Sequence, residues 1–222
     1  MPVARGVPGE GYPHAWSVYR WIDGRPATPQ NVADPTGFAV ALAEFLVALA
    51  RVEATDGPSP GPHNFFRGAP VQTYAHEVAG AIEALGDEIP RGAVERVWED
   101  AIAARWDGEP VWFHGDVAAG NLLVRNGRLA AVIDFGCSGV GDPACDVVIA
   151  WTFLSGPSRD AFRSARGVDS ATWSRGRGWA LWKALITLVG ALEADDGAAA
   201  AARRREIDRV IADHAGDDRG AG

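Results

Sequence analysis

The stretch Val111–Asp146, VWFHGDVAAGNLLVRNGRLAAVIDFGCSGVGDPACD, constrains this chain more than any other. Its apolar runs Val111–Phe113, Leu122–Val124 and Leu129–Ile133 read as short buried strands. Between the second and third sits Asn126-Gly127, a strong hairpin signal, because a type I′ turn needs positive φ at both central positions. A hairpin closed there returns Asp134 to the neighbourhood of Asn121, and the first strand delivers Asp116 beside them. Three oxygen-bearing side chains then gather at one end of a small sheet. Taken singly, each has an ordinary explanation as a cap, a turn residue or a strand-end carboxylate. The joint spacing is what carries information.

Carboxylate and amide oxygens suit Mg²⁺, a hard cation that keeps waters and phosphate oxygens in its shell. A spare carboxylate can orient a nucleophile. The spacing His114-x-Asp116-x₄-Asn121, followed by Asp134-Phe135-Gly136, is the pattern of kinase-type phosphoryl transfer. Together with Gly141-Asp142-Pro143 and Asp146, these residues resemble the aminoglycoside phosphotransferase family. The resemblance is dense over residues 111–150 and looser from about residue 12 to the C-terminus. It implies a protein-kinase-like fold, ATP and Mg²⁺ as cofactors, and a small-molecule hydroxyl as acceptor, aminoglycoside-like or another amino alcohol. It also implies roles: Asp116 as catalytic base, Asn121 and Asp134 as metal ligands, His114 as a support of the catalytic loop. Asp142 and Asp146 would brace that loop and the next helix. Tyr19, Arg20, Trp21 and Ile22, before Asp23-Gly24, are similar to the hinge whose backbone holds the adenine; an edge strand and turn would read the same way.

The rest of the chain is mainly helical by pattern. Asp34-Pro35 and Asp142-Pro143 each combine an N-cap with a first-turn proline. Helical spacing predicts helices from Pro35, over about 71–85, 93–105, 158–166, 171–194 and 198–214, and one from Asp142-Pro143. Residues 1–14 read as loop, Ala15–Ile22 as a strand, 56–70 as loop and 216–222 as a frayed end. Gly6, Gly9 and Gly11 lack a strand before them, so they do not read as a phosphate-binding glycine loop. His76 and Glu77 read as a solvated pair, Arg203–Arg205 as solvated surface. Trp151, Trp173, Trp179 and Trp182 are core or the lining of an aromatic pocket.

The expected fold class is therefore α+β, mainly helical. Residues 31–222 form a kinase-like C-terminal lobe with a small hairpin sheet, and residues 1–30 are a remnant of the N-terminal lobe, its last strand and hinge. With 222 residues, 47% of them hydrophobic, the chain can bury a sizeable core. A net charge of −8 disfavours nucleic acid and anionic membranes as partners and is compatible with a cationic small molecule. Cys137 and Cys145 imply no disulfide framework, residues 1–14 have no signal-peptide core, and no apolar run reaches a membrane span, which together point to the cytoplasm.

One count bears on activity. The chain has a single lysine, Lys183, late in the sequence. Kinase-like enzymes place a glycine-rich loop and a lysine over the nucleotide phosphates. The expectation is thus a small-molecule kinase whose phosphate-clamping lobe is largely missing from these residues, so that the chain alone turns over poorly. The alternative is a truncated, non-catalytic binding or interaction protein on the same scaffold. A metal-dependent hydrolase reusing the same carboxylates has no motif of its own.

Overall fold

Capping chemistry sets the first long helix of the computed structural model, which describes residues 1–220. The Asp34 carboxylate accepts from the amides of Thr36 and Gly37 at 3.1 and 3.0 Å, and Pro35 presets the first turn. Helix α1 then runs Pro35–Ala50 and buries Phe38, Leu42 and Leu46. Helix α2 (Ala75–Leu85) follows a 3₁₀ turn at Val71–Tyr74, and α3 spans Arg91–Ala103. A 3₁₀ segment, Pro143–Val148, leads into the single-turn α4 (Ile149–Thr152). The helix expected after Asp142-Pro143 is thus mostly 3₁₀, and its tighter winding turns Asp146 into the core. Then come α5 (Pro157–Arg166), α6 (Ser170–Glu193) and α7 (Gly197–Gly220). Residues 216–220, expected to fray, belong to α7; residues 221–222 lie outside the described residues.

Helix α6 is the axis of the helical body, packed on α2, α3, α7 and the 3₁₀ segment. It carries Trp173, Trp179, Leu181, Leu185 and Leu188 into the core. Gly176 permits the closest approach: a Cβ there would stand 2.0 Å from Val147 Cγ2 and 3.3 Å from the Ala144 carbonyl. A mid-helix glycine normally costs about 1 kcal/mol against alanine. Here overpacking reverses the sign. Gly176→Ala is expected to destabilise the fold by about 1–3 kcal/mol, read as a lowered midpoint in urea unfolding; a raised midpoint would refute the close-packing account.

The strands form three small antiparallel sheets. Strand β1 (Ala4–Gly6) pairs with β2 (Trp16–Val18). Strand β3 (Arg25–Pro26) pairs with β5 (Leu122–Arg125), which pairs with β6 (Arg128–Val132) through the Asn126-Gly127 turn. Strand β4 (Val111–Phe113) pairs with β7 (Gly139–Gly141). Three expectations change here. A strand does precede Gly9 and Gly11, inside the segment read as loop. The strand expected over Ala15–Ile22 stops at Val18, because β1 offers only three residues to pair with. Val111–Phe113 joins β7 rather than the hairpin, so the central stretch makes two sheets instead of one. The class itself holds: mainly helical, with small antiparallel sheets.

Candidate active site

The turn after β4 is held by one buried carboxylate. Asp146 accepts from the backbone amides of His114 (2.8 Å) and Gly115 (2.8 Å). Burial pushes its carboxyl above the ordinary value, against those two amides, which pull it down. Gly115 has φ +82°, and a Cβ there would meet the Cys137 carbonyl at 2.3 Å, so the turn requires glycine. His114 is fully buried. Its Nδ1 accepts from the Asp116 amide at 3.2 Å, and its Nε2 lies 3.0 Å from the Ile133 carbonyl, which makes Nε2 the protonated nitrogen. The imidazole therefore ties the Asp116 loop to the residue before Asp134.

Asp116 lines an opening, its side chain one-third exposed. The Asn121 amide nitrogen donates to its Oδ2 at 3.0 Å and to its main-chain oxygen at 2.9 Å. With the nitrogen committed, the Asn121 amide oxygen is the atom left to ligate. The Ile133 amide donates to the Asn121 carbonyl at 2.9 Å, so Asp134 is one residue from Asn121's partner across the hairpin. Asp134 is exposed and left-handed, with φ 64° and ψ 70°, and accepts from the Gly136 amide at 3.4 Å. Phe135 seats this turn against His114, ring centroids 4.7 Å apart. Among the described residues no group of three His, Cys, Asp or Glu side chains is placed to hold a metal.

A cavity opens against Asp116, and residues that sequence reasoning missed line it. Lys183, on α6, lies 3.5 Å from Asp116 Oδ1. Arg67 comes from the loop read as featureless. Its Nε donates to the Gly115 carbonyl at 3.0 Å, and its guanidinium lies 4.9 Å from the Trp182 ring centre. The loop is placed by β7: the Val140 amide donates to Pro58 and the Asp142 amide to Gly68. Arg203, expected on solvated surface, lines the cavity and pairs with Glu206 at 2.8 Å. Trp179 and Trp182 face the cavity, whereas Trp151 and Trp173 pack on each other in the core. His76 and Glu77 are exposed, and Glu77 also accepts from Trp182 Nε1 at 2.9 Å. The spacing Trp179, Trp182, Lys183 puts the sole lysine on one helix face with two tryptophans, a signal visible in the sequence.

The remaining sequence-derived residues are not among those lining that cavity. Asp142 accepts from the Ala144 amide and from Arg175, whose Nε and Nη2 reach its two oxygens at 2.7 and 3.2 Å. Burial and then Asp116 push the Cys137 thiol above its usual value. Tyr19, Arg20, Trp21 and Ile22 are exposed, between β2 and β3.

An aspartate loop and a following Asp-Phe-Gly turn are here set on a helical body, and solved structures share the fold. A GDP and kanamycin complex of APH(2")-IIia matches with TM-score 0.63 at 16% identity, covering 96% of this chain and 75% of that one. A thermostable mutant of aminoglycoside phosphotransferase APH(4)-Ia matches with TM-score 0.59 at 20% identity, covering 97% and 77%. The macrolide 2'-phosphotransferase MphH from Brachybacterium faecium matches with TM-score 0.53 at 19% identity, covering 87% and 68%. At these identities the likeness is one of fold. A model of the phosphotransferase enzyme family matches residues 1–179, and the chain belongs to that family. A search of curated protein sequences finds no match.

Proposed function

We propose that this protein is a small-molecule kinase that transfers the γ-phosphoryl group of ATP to an acceptor hydroxyl. The observation that carries this reading is Asp116: a carboxylate positioned by Asn121, at the mouth of a cavity, one hairpin away from Asp134. In this reading Asp116 is the catalytic base. It accepts the proton of an acceptor hydroxyl, and Asn121 and Lys183 hold the carboxylate in place to do so. His114, Asp146 and Asp142 hold the loop and its supporting turn. Tyr19–Ile22 is assigned to the adenine hinge on resemblance alone.

The donor set fits Mg²⁺: Asn121 offers a neutral oxygen, Asp134 a charged one, and both are hard. Bound there, Mg²⁺ would neutralise phosphate charge. This assignment has its own test. Replacing residues that merely support metal ligands typically costs about 10–100-fold in affinity, so Asp134→Asn is expected to weaken Mg²⁺-nucleotide binding by at least about 10-fold in calorimetry. An unchanged isotherm would count against it.

Slow turnover by these 222 residues alone is part of the same proposal. Their single lysine stands beside Asp116, on the acceptor side, and so is engaged away from a nucleotide clamp. ADP release measured across a panel of small alcohols, for this chain and for one extended upstream, tests the reading. Cytoplasmic residence is likewise proposed; no helix among the described residues is long and apolar enough to cross a membrane.

A further inference from the structure

The cavity against Asp116 holds about 230 Å³. That is below the roughly 300–1,000 Å³ of typical ligand sites. A cavity of this size suits a compact acceptor group. Its charge is also unlike that of the chain. Arg67, Lys183 and Arg203 face Asp116 and Glu206, three cations against two carboxylates, a net of one positive charge. Both carboxylates are already engaged: Glu206 by Arg203 at 2.8 Å, Asp116 by Lys183 at 3.5 Å.

The cation left over is Arg67. It is 9% exposed, its Nε is spent on the Gly115 carbonyl, and its Nη1 is buried with no hydrogen-bond partner. Among the described residues no carboxylate pairs with it. The rings of Trp179 and Trp182 lie 5.3 and 4.9 Å from its guanidinium carbon, so what surrounds it is largely aromatic. A buried guanidinium without an anion is costly, and a planar carboxylate is the group its fork matches best.

We propose that the acceptor is a compact hydroxy-carboxylate, its carboxylate held by Arg67 with Lys183 beside it, its hydroxyl at Asp116. This rests on the phosphotransferase reading for the hydroxyl, but the anion site is independent of catalysis. The expectation of a cationic acceptor came from the family resemblance and the net charge; the lining of the cavity favours the opposite sign. An aminoglycoside would bring several ammonium groups to a cavity whose two carboxylates are both taken.

The test is calorimetry on the 222-residue protein, without nucleotide. The probes are glycerate, 4-hydroxybutyrate and mandelate, the matching amino alcohols, and kanamycin. At least one hydroxy-carboxylate is expected to bind, more tightly than any amine probe. Losing a charge-assisted hydrogen bond corresponds to about 10- to 100-fold, so Arg67→Gln should weaken that binding to this extent. Arg67→Lys should restore part of it. Lys183→Ala, at a half-exposed position, should weaken it several-fold with an unchanged melting temperature. Binding of kanamycin or an amino alcohol in preference, no binding by any carboxylate, or carboxylate binding untouched by Arg67→Gln would each overturn the proposal. So would a loss of Mg²⁺-ATP affinity in Arg67→Gln with carboxylate binding intact. Carboxylate binding by this chain, with no ADP release from the chain extended upstream, would instead refute the kinase reading and leave the anion site standing.

Discussion

Asp116→Asn is expected to lower nucleotide-dependent phosphorylation by about 10²–10⁴, the usual contribution of a positioned general base. The change is nearly isosteric. The Asn121 amide still finds the main-chain oxygen of residue 116, so the loop keeps one of its two ties to Asn121. What disappears is the capacity to take a proton from the acceptor hydroxyl, together with the negative charge that Lys183 faces. The loss should therefore fall on kcat, with a melting temperature close to that of the parent. The measurement is ADP release by a form of the protein that turns over, parent and variant side by side. Full activity of the variant would remove Asp116 from the role proposed for it. A large drop in melting temperature would show instead that the residue serves the fold.

Breaking the Asp142–Arg175 pair should have the largest effect on stability. Both side chains are almost wholly buried, at 3% and 4% exposure, and joined through two nitrogens. Arg175 also reaches the Arg105 carbonyl at 3.2 Å and Thr172 Oγ1 at 3.1 Å, so one guanidinium links α6, the end of α3 and the turn before the 3₁₀ segment. Arg175→Met would leave a carboxylate buried with only the Ala144 amide beside it. Removing one partner of a buried pair costs about 3–5 kcal/mol. At about 2–4 °C per kcal/mol for a chain of this size, the melting temperature should fall by roughly 10 °C. A fall of less than about 2 °C would show that the pair is a bystander. Replacing Asp142 as well, with leucine, should recover part of the loss, because apolar packing often matches or exceeds a buried ion pair.

The parts of this fold legible in the sequence are those with local causes. Asp34-Pro35 announces α1 because the cap and the preset φ act within four residues. Asn126 and Gly127 adopt φ of 52° and 75°, as a type I′ turn requires, so the hairpin follows from two residues. The fixed spacing of His114, Asp116, Asn121 and Asp134 led to the family. What stayed hidden has distant causes. Strand β7 is Gly-Val-Gly, which has no alternation to read, and it exists because β4 lies beside it. Arg67 meets Gly115 across 48 positions, Lys183 meets Asp116 across 67, and Glu77 meets Trp182 across 105. None of these contacts leaves a periodic trace. The net charge of −8 is a whole-chain sum and says nothing of which charges converge on one cavity.

Lys183 has a consequence outside catalysis. As the only lysine among 222 residues, it carries the only side-chain primary amine, and it stands at the mouth of the Asp116 cavity. Acylating or reductively alkylating reagents thus have two primary amines to find, this one and the one at the N-terminus. A single mass increment on the peptide bearing residue 183 is a census of how open the cavity is. The chain carries its own chemical tag at the place where occupancy matters most, with no engineered label required.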